Sequence, residues 1–284
     1  SKTAVISNLA IGILDPYNAQ SVANAWYSTG ATEPSYVSQG WVPAACGIWY
    51  FPNSLIIEPY SQVVISCMGA IDNTKTYPQS INYANKDYYT MYDPESGFKN
   101  PKYYPTPADV IPTSQYLKAV EYGQANAWPL SATSPGFFIF QTKNTTPAAF
   151  ANDASNITYT PGKAQNKINA VLKVPTDWII DGVEVYEKIN ESKSKKRFGS
   201  DVDAGYVMQT VKLGHSVYRN VDVEATKKIE GNTAKLVYNY QYGADPSHID
   251  AEASMKNGAK IVYMDTNNST SDFHERKQFS LRDK

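Results

Sequence analysis

The stretch Trp178-Ile-Ile-Asp-Gly-Val-Glu-Val-Tyr186 decides the fold class of this chain. Its side chains alternate, so that Ile179, Asp181, Val183 and Val185 share one face of an extended segment. Successive side chains of a β-strand point to opposite sides, and this period predicts a strand with one mostly apolar face. The single carboxylate on that face would be partly buried, and a buried carboxylate needs a partner or its pKa rises.

Further short apolar runs, separated by Pro, Gly and Asn, continue this pattern along the chain. Phe137-Phe-Ile-Phe140 and Val63-Val-Ile65 are continuous, as in strands that are buried on both faces. The other predicted strands are residues 5–14, 47–51, 62–68, 136–140, 205–210, 216–219 and 259–264. Helical periodicity is weak, and helices are expected only at residues 18–27, 112–125 and, for one turn, 224–228. The sequence therefore predicts a mainly β protein.

Two long segments, residues 71–132 and 144–169, are predicted to be insertions in a single β-domain that covers residues 1–284. The first segment is rich in aromatic residues, which argues against disorder. Because Tyr and Trp offer large, rigid contact area and stack on sugar rings, this segment is the candidate recognition surface. Packing of long loops against the sheet explains the same residues equally well.

The candidate binding residues in this segment are Tyr77, Tyr83, Tyr88, Tyr89, Tyr92, Tyr103, Tyr104 and Trp128. Of the 5 tryptophans in the chain, Trp128 is the one that we expect to be exposed, since it lies next to Pro129 inside the long segment.

Composition and missing motifs exclude several classes of function. A net charge of -1 gives no strong field toward nucleic acid or an anionic membrane surface. No apolar run approaches the length of about 18 residues that a membrane span needs. The 3 histidines have no short metal spacing, and there is no Gly-x-Ser-x-Gly elbow and no glycine-rich phosphate loop. We therefore expect a protein that is not an enzyme.

Cys46 and Cys67 flank two predicted strands, at residues 47–51 and 62–66. If these strands pair as an antiparallel hairpin, the two cysteines face each other and a disulfide is feasible. Two small buried apolar side chains are the alternative, and the sequence favours neither.

The loop after the predicted strand at residues 259–264 is rich in side-chain oxygens. Asp265, Asn267 and Asp272 are hard-oxygen ligands of the kind that Ca²⁺ prefers, although their spacing is not that of an EF-hand. Asp, Asn and Ser also bind their own backbone and build rigid turns without any metal. The turn hypothesis is favoured, and calcium is the alternative.

The basic run Lys193-Ser-Lys-Lys-Arg197 is a second polar feature. It is suited to contact with anionic glycans or lipid headgroups. A solvated loop between two strands is the simpler interpretation.

Several of these segments, taken in order, resemble one family. They are Trp41-Val-Pro43 with Pro52-Asn-Ser-Leu-Ile-Ile-Glu-Pro-Tyr-Ser-Gln-Val-Val-Ile65, Val174-Pro-Thr-Asp-Trp-Ile-Ile-Asp-Gly-Val-Glu-Val185, Lys196-Arg-Phe-Gly-Ser-Asp-Val-Asp-Ala-Gly-Tyr206 with Ser216-Val-Tyr-Arg219, and Met264-Asp-Thr-Asn-Asn-Ser-Thr-Ser-Asp-Phe273. The family is an uncharacterised group of surface lipoproteins from Bacteroides-type bacteria, a domain of unknown function. Its members are often encoded beside TonB-dependent transporters, and some are labelled cell adhesion proteins.

The chain also resembles, more distantly, the lamin-tail type of immunoglobulin-like sandwich. Leu55-Ile-Ile-Glu-Pro59, Ile180 to Tyr186, Ser216-Val-Tyr-Arg219 and Asp272-Phe273 stand in the places of that pattern. The resemblance implies an immunoglobulin-like β-sandwich whose first strands either lie upstream of residue 1 or are replaced by another segment. Arg219, the basic residue of the third piece, is then the expected ion-pair partner of Asp181, and such a pair would tie two strands together.

The resemblance implies a non-enzymatic protein of the outer-membrane surface that is held by an upstream lipid anchor. Its expected role is that of an accessory or ligand-capture subunit of a TonB-dependent transporter. The alternatives are an adhesin that binds glycan or host protein, and a glycan-active enzyme with two carboxylates in one cleft.

Overall fold

A computed structural model of the chain describes residues 2–21, 26–67, 72–75, 78, 88–106, 115–123, 127–212, 214–238 and 245–277. The strands in these ranges are β1 (Ala4–Ile6), β2 (Leu9–Ile13), β3 (Trp41–Ala45), β4 (Gly47–Tyr50), β5 (Leu55–Ile57), β6 (Ile65–Ser66), β7 (Tyr89–Met91), β8 (Tyr116–Glu121), β9 (Gly136–Gln141), β10 (Ile157–Tyr159), β11 (Ala170–Pro175), β12 (Ile179–Glu187), β13 (Val207–Gln209), β14 (Ser216–Arg219) and β15 (Phe273–Arg276).

The helices are short. The α-helices are α1 (Pro147–Asn152), α2 (Val223–Lys227), α3 (Ala251–Lys256) and α4 (Ser269–Asp272). The 3-10 helices are Ala19–Ser21, Val37–Gln39, Asn73–Lys75, Ala154–Asn156, Lys167–Asn169, Thr176–Trp178, Lys188–Lys193 and Thr233–Lys235. Every helix among the residues described is too short or too polar to cross a lipid bilayer. The protein is mainly β, as its sequence predicts.

The main sheet has the strand order β13-β12-β9-β2-β4-β8-β7-β6. Its central strand β2 pairs antiparallel with both β9 and β4. All five residues of β2 are buried, because Ala10 packs on one side of the sheet while Leu9, Ile11 and Ile13 pack on the other. A strand buried on both faces carries a continuous apolar run, which is what the sequence of β2 shows.

One face of the main sheet packs against a three-stranded sheet with the order β10-β11-β3. The core between them contains Phe138 and Phe140 from β9, Leu172 and Val174 from β11, and Phe150 from α1. This two-layer packing is that of a β-sandwich. The closer likeness to lamin-tail immunoglobulin domains stays a prediction.

The opposite face of the main sheet carries a second core. Trp49 of β4 and Leu117 of β8 pack there against Phe98, Tyr104 and Trp128, which come from segments without regular structure. The predicted insertion at residues 71–132 thus supplies both β7 and β8 to the sheet and side chains that cover it. The predicted insertion at residues 144–169 likewise supplies β10.

The C-terminal part forms a smaller unit beside the sandwich. β14 and β15 pair antiparallel, and α2 and α3 enclose a small core that contains Val221, Ile249 and Ile261. The predicted strand at residues 216–219 and the helical turn near residues 224–228 are confirmed. The predicted strand at residues 259–264 is wrong, since only Tyr263 forms an isolated β-bridge there, with Val221.

The predicted helix at residues 112–125 is also wrong for the part that is described, because Tyr116–Glu121 is strand β8. Its Leu117 is buried and its neighbours are half-buried, the burial that a strand between two others acquires. Pairing with β4 and β7 therefore outweighs the weak helical signal.

The predicted hairpin between the two cysteines does not form. β4, which follows Cys46, and β6, which precedes Cys67, are separated in the sheet by β8 and β7. Both cysteines are free thiols. Burial raises the pKa of each thiol to about 11, so both side chains are unreactive at neutral pH.

Candidate functional site

A half-open groove lies where β12 begins. It has a volume of about 560 Å³ and is lined by Gly40, Thr176, Asp177, Ile179, Ile180, Asp181, Asp201, Val202 and Asn267. We call it the acidic groove. A β-bulge between Ile179 and Asp181 breaks the pairing of β12 with β9, which turns the extra residue, Ile180, outward so that it is 49% exposed. Three carboxylates thus surround apolar side chains in one concave surface.

The three carboxylates of the acidic groove differ in their partners. Asp177 forms an exposed ion pair with Lys143, whose Nζ lies 2.8 Å from its Oδ2. Asp181 is paired with Arg219. Asp201 is exposed and has no hydrogen-bond or ion-pair partner among the residues that the structure describes. Negative charge is therefore left over in the groove.

The predicted ion pair between Asp181 and Arg219 is present and joins β12 to β14. It is not bidentate, because Nη2 of Arg219 contacts Asp181 while Nη1 donates to the Met264 carbonyl at 2.7 Å. Nη1 also lies 3.6 Å from Asp265, and the guanidinium stacks 4.6 Å from the centre of the Phe273 ring. Burial raises the pKa of Asp181 above its usual value, and the Arg219 charge offsets only part of that effect.

The oxygen-rich loop holds two of its three calcium candidates, Asp265, Asn267 and Asp272, in contacts within the protein. Asp272 is buried and accepts hydrogen bonds from the Thr266 N–H and hydroxyl, both at 2.7 Å, and from the Asn268 N–H at 3.3 Å. Asp265 faces Arg219 instead. Within the described ranges no three His, Cys, Asp or Glu side chains come together to hold a metal ion. The loop is therefore built by turns in the described structure.

A closed network of charges lies farther along β12. Glu184 and Arg197 are both fully buried, with 2.7 Å between Oε1 of Glu184 and Nε of Arg197. The other oxygen of Glu184 accepts the backbone N–H groups of Arg197 and Phe198, each at 3.1 Å. Arg197 also donates to the carbonyls of Pro16 at 2.7 Å and Ser134 at 2.8 Å. A buried pair is tolerated when every donor and acceptor is satisfied in this way.

Two further charges complete this closed network. Nζ of Lys196 lies 3.3 Å from Glu184. Burial acts to raise the pKa of Glu184, but Arg197, Lys196 and the hydrogen bonds outweigh it and hold the pKa below its usual value. Asp203 is buried and accepts the Glu184 N–H at 2.8 Å and the Ser269 hydroxyl at 2.7 Å. It therefore ties β12 to the start of α4.

The closed network corrects the expectation for the basic run at residues 193–197. Lys193 and Lys195 are solvated, as the simpler interpretation has it, but Arg197 is buried in the sandwich. The sequence carried one signal of this, the small Gly182 two residues before Glu184. A Cβ atom at residue 182 would lie 2.9 Å from the Phe198 ring. Only glycine therefore leaves room for the Arg197-Phe198 segment to pack against β12.

The aromatic candidates of the long segment that the structure describes do not form an exposed surface together. Tyr88, Tyr104 and Trp128 are 4%, 6% and 4% exposed, and the expectation that Trp128 is exposed is wrong. Tyr89 packs against Phe51, with 4.8 Å between ring centres. These rings are held by the second core, which supports the packing hypothesis.

Two of the remaining aromatic candidates are less buried in the described structure. Tyr92 is half-buried and lies 5.4 Å from the Tyr116 ring. Tyr103 is 39% exposed and stacks under Lys102. Tyr77 and Tyr83 lie outside the described residues.

Comparison with known proteins places the chain in a family. The family described as "Protein of unknown function (DUF4876)" matches residues 58–235, which is more than half of the chain. The chain belongs to the DUF4876 family. The match includes β12 and the four charged residues of the closed network, and it includes the acidic groove apart from Gly40 and Asn267.

A solved DUF4876 structure has the same fold. The crystal structure of a DUF4876 family protein from Bacteroides thetaiotaomicron, at 2.50 Å resolution, matches with a TM-score of 0.61 and 20% sequence identity. The match covers 96% of this chain and 62% of that protein, so this chain spans less than two thirds of its DUF4876 relative. A search of the curated proteins gives no match.

Proposed function

We propose that this DUF4876 protein is a non-enzymatic, lipid-anchored protein of the outer-membrane surface that captures a ligand for a TonB-dependent transporter. The acidic groove is the observation that carries the ligand-capture part of this proposal. The surface location and the transporter rest on the resemblance to Bacteroides-type surface lipoproteins, and membership of DUF4876 supports that resemblance.

The groove suits a ligand that donates hydrogen bonds. Carboxylates of Asp177, Asp181 and Asp201 accept hydrogen bonds, and the exposed Ile180 offers an apolar surface beside them. Sugar rings combine hydroxyl donors with apolar C–H faces, so a neutral glycan matches this lining. Small-molecule sites characteristically combine apolar walls with a few placed polar groups.

Isolation of the native protein from outer membranes in mild detergent, with mass spectrometry of what accompanies it, tests the transporter part. A TonB-dependent β-barrel in stoichiometric amount is the expected result. A protein that comes down without any barrel contradicts the accessory role and favours the adhesin alternative.

A glycan array with the purified protein tests the groove itself. Asp201→Asn removes the unpaired charge and is expected to weaken glycan binding. The matched control is Glu58→Gln, at an exposed carboxylate directly after β5, and it is expected to leave binding unchanged. Equal binding by both variants, or no binding by the native protein, contradicts capture at the groove.

Glycan hydrolysis is a second candidate, which one observation favours. Hydrolases pair a carboxyl group of raised pKa with an ionised carboxylate, and Asp181 has a raised pKa in the same groove as the unpaired Asp201. Release of reducing sugar from a bound glycan, lost in Asp181→Asn, would replace the capture proposal. Binding without release contradicts the hydrolase.

A further inference from the structure

The second core contains a compact group of rings, which we call the tryptophan cluster: Trp49, Phe98, Tyr104, Trp128 and Phe137. Trp49 stacks on Phe98 at 5.4 Å between ring centres and lies 5.8 Å from Tyr104. The Tyr104 hydroxyl accepts the backbone N–H of Trp128 at 2.9 Å, and the Trp128 ring lies 6.3 Å from Phe137. The two indoles are thus joined through one tyrosine.

Both indoles of the cluster lack a hydrogen-bond acceptor. Trp49 is 0% exposed and Trp128 is 4% exposed, and no acceptor within the described part of the chain reaches either Nε1. A buried donor without a partner costs about 1–3 kcal/mol, so native proteins rarely keep two such groups together.

The core between the main sheet and the three-stranded sheet, which we call the first core, contains two tryptophans whose indole N–H groups do have acceptors. Nε1 of Trp26 donates to the Asp15 carboxylate at 3.0 Å, and Nε1 of Trp41 donates to the Gln39 side chain at 3.2 Å. Two tryptophans on one side of the main sheet, Trp26 and Trp41, therefore have acceptors from this chain, whereas both tryptophans of the cluster have none among the described residues. The difference points to acceptors that come from another molecule.

We propose that the tryptophan cluster is a binding site for a flat aromatic ring compound that carries a carbonyl oxygen. The rings of the cluster would stack on the ligand, as Trp49 now stacks on Phe98, and an indole N–H would donate to the carbonyl. This site is separate from the acidic groove and does not depend on the function proposed for that groove.

The segment that covers the cluster would have to move to admit the ligand. Phe98 and Tyr104 lie in residues 92–106, which contain neither helix nor strand. The backbone hydrogen bonds of this segment are those of turns, for example from the Tyr104 N–H to the Asn100 carbonyl, so it can move without breaking a helix or a sheet. A ligand ring that takes the place of Phe98 against Trp49 keeps the stacking and adds the missing acceptor.

Two matched compounds test the proposal on the unaltered protein. 9-Fluorenone has a carbonyl, and fluorene is the same ring system without it. Saturable quenching of tryptophan fluorescence is expected for both, with 9-fluorenone binding about tenfold more tightly, the effect of one added hydrogen bond. Failure of either compound to bind saturably, or equal affinity for the two, overturns the proposal.

Variants locate the site. Trp49→Phe combined with Trp128→Phe removes both donors and is expected to abolish the preference for 9-fluorenone. Trp178→Phe makes the same change in the first core, against Phe150, and keeps the preference. A preference that survives the double variant overturns the proposal. If the double variant does not fold, each single variant is compared in its place, and loss of the preference in neither overturns the proposal.

Discussion

Asp181 and Glu184 lie three residues apart on β12, but Asp181 lines an open groove whereas Glu184 is buried in the sandwich. Glu184 is fully buried, and cations and backbone N–H groups satisfy both of its oxygens. Asp181 lines the acidic groove and shares its single cation with Asp265. The closed network ties segments of the sandwich together, while the acidic groove keeps negative charge exposed. One strand therefore carries a structural carboxylate and a carboxylate for which we propose a binding role.

Among the tests of this comparison, removal of the Arg197 cation from the closed network should have the largest effect on the free energy of unfolding. Arg197→Met leaves Glu184 buried without its main partner, and breaking one side of a buried pair costs about 3–5 kcal/mol. Urea denaturation at pH 7 measures the loss in free energy of unfolding. The matched control, Lys193→Met, changes an exposed residue of the same basic run, and we expect an effect within about 0.5 kcal/mol. A loss below about 1 kcal/mol in Arg197→Met would remove the distinction between the two regions.

The C-terminal unit contains a buried histidine, and both of its ring nitrogens are hydrogen-bonded. His274 accepts the Arg276 Nε–H at Nε2 and contacts Asn220 at 2.7 Å through Nδ1, so its ring is neutral. Burial, and then the Arg276 charge, lower its pKa from 6.5 to about 4.

Acid should therefore destabilise the protein through His274. The unfolded chain takes up the proton first, so stability falls as the pH drops from about 6.5 to 4, by up to about 3 kcal/mol. A series of urea denaturations across this range measures the fall, and His274→Gln should reduce it. His248→Gln, at an exposed position, is the control and should leave it unchanged. An identical fall in the native protein and in His274→Gln would contradict the assignment.

The groove carboxylate should respond to acid with the opposite sign. Because burial raises the pKa of Asp181, the folded protein takes up its proton before the unfolded chain does, and this uptake stabilises the fold as the pH falls. Asp181→Asn removes that gain, so stability should fall more steeply toward acid than in the native protein. Asp177→Asn, at the exposed carboxylate of the same groove, is measured in parallel as the control for charge. A shallower fall in Asp181→Asn would show that its ion pair with Arg219 dominates.

The smallest effect on stability is expected at the unpaired carboxylate. Asp201→Asn breaks no contact among the described residues, so the free energy of unfolding should change by less than about 0.5 kcal/mol. Binding of a glycan identified on the array should nevertheless weaken about tenfold, since a hydrogen bond to a charged group is worth about 1.5–3 kcal/mol. Titration calorimetry with that glycan makes the measurement. A large loss of stability would show that Asp201 has a structural role like that of the closed network, and it would contradict its assignment as a free carboxylate of the acidic groove.

The sequence predicts most strands of the main sheet, but it predicts a helix where β8 lies and no strand at β7. Strict alternation puts Asp181 on the mostly apolar face of β12, where the structure shows it half-buried, but it does not indicate that Glu184 is fully buried. The bulge after Ile179 shifts the alternation by one residue, so that Gly182 and Glu184 face the first core. A bulge depends on pairing with another strand and leaves no pattern in its own segment.

Other features of the site lie beyond sequence reasoning for the same physical reason. The pairing of Asp181 with Arg219 follows from a family resemblance, because the two residues belong to strands that do not pair with each other. Burial of Trp128 depends on which loops cover the sheet, and no local signal carries that information. Local patterns report periodicity, whereas partners far along the chain decide burial.

The position of β2 in the main sheet has a consequence for how the protein is made. Ile11 pairs with Ile139 of β9, and β9 in turn pairs with β12, which ends at Glu187. During synthesis at about 5–20 residues per second, β2 must wait for its second neighbour until β9 is made, and β9 ends at Gln141, about halfway along the chain. Contacts so distant in sequence also slow folding of the complete chain. β2, which is apolar throughout, therefore stays without one of its two partners while the intervening segments are made, and it is a part of the nascent chain that a chaperone would have to shield.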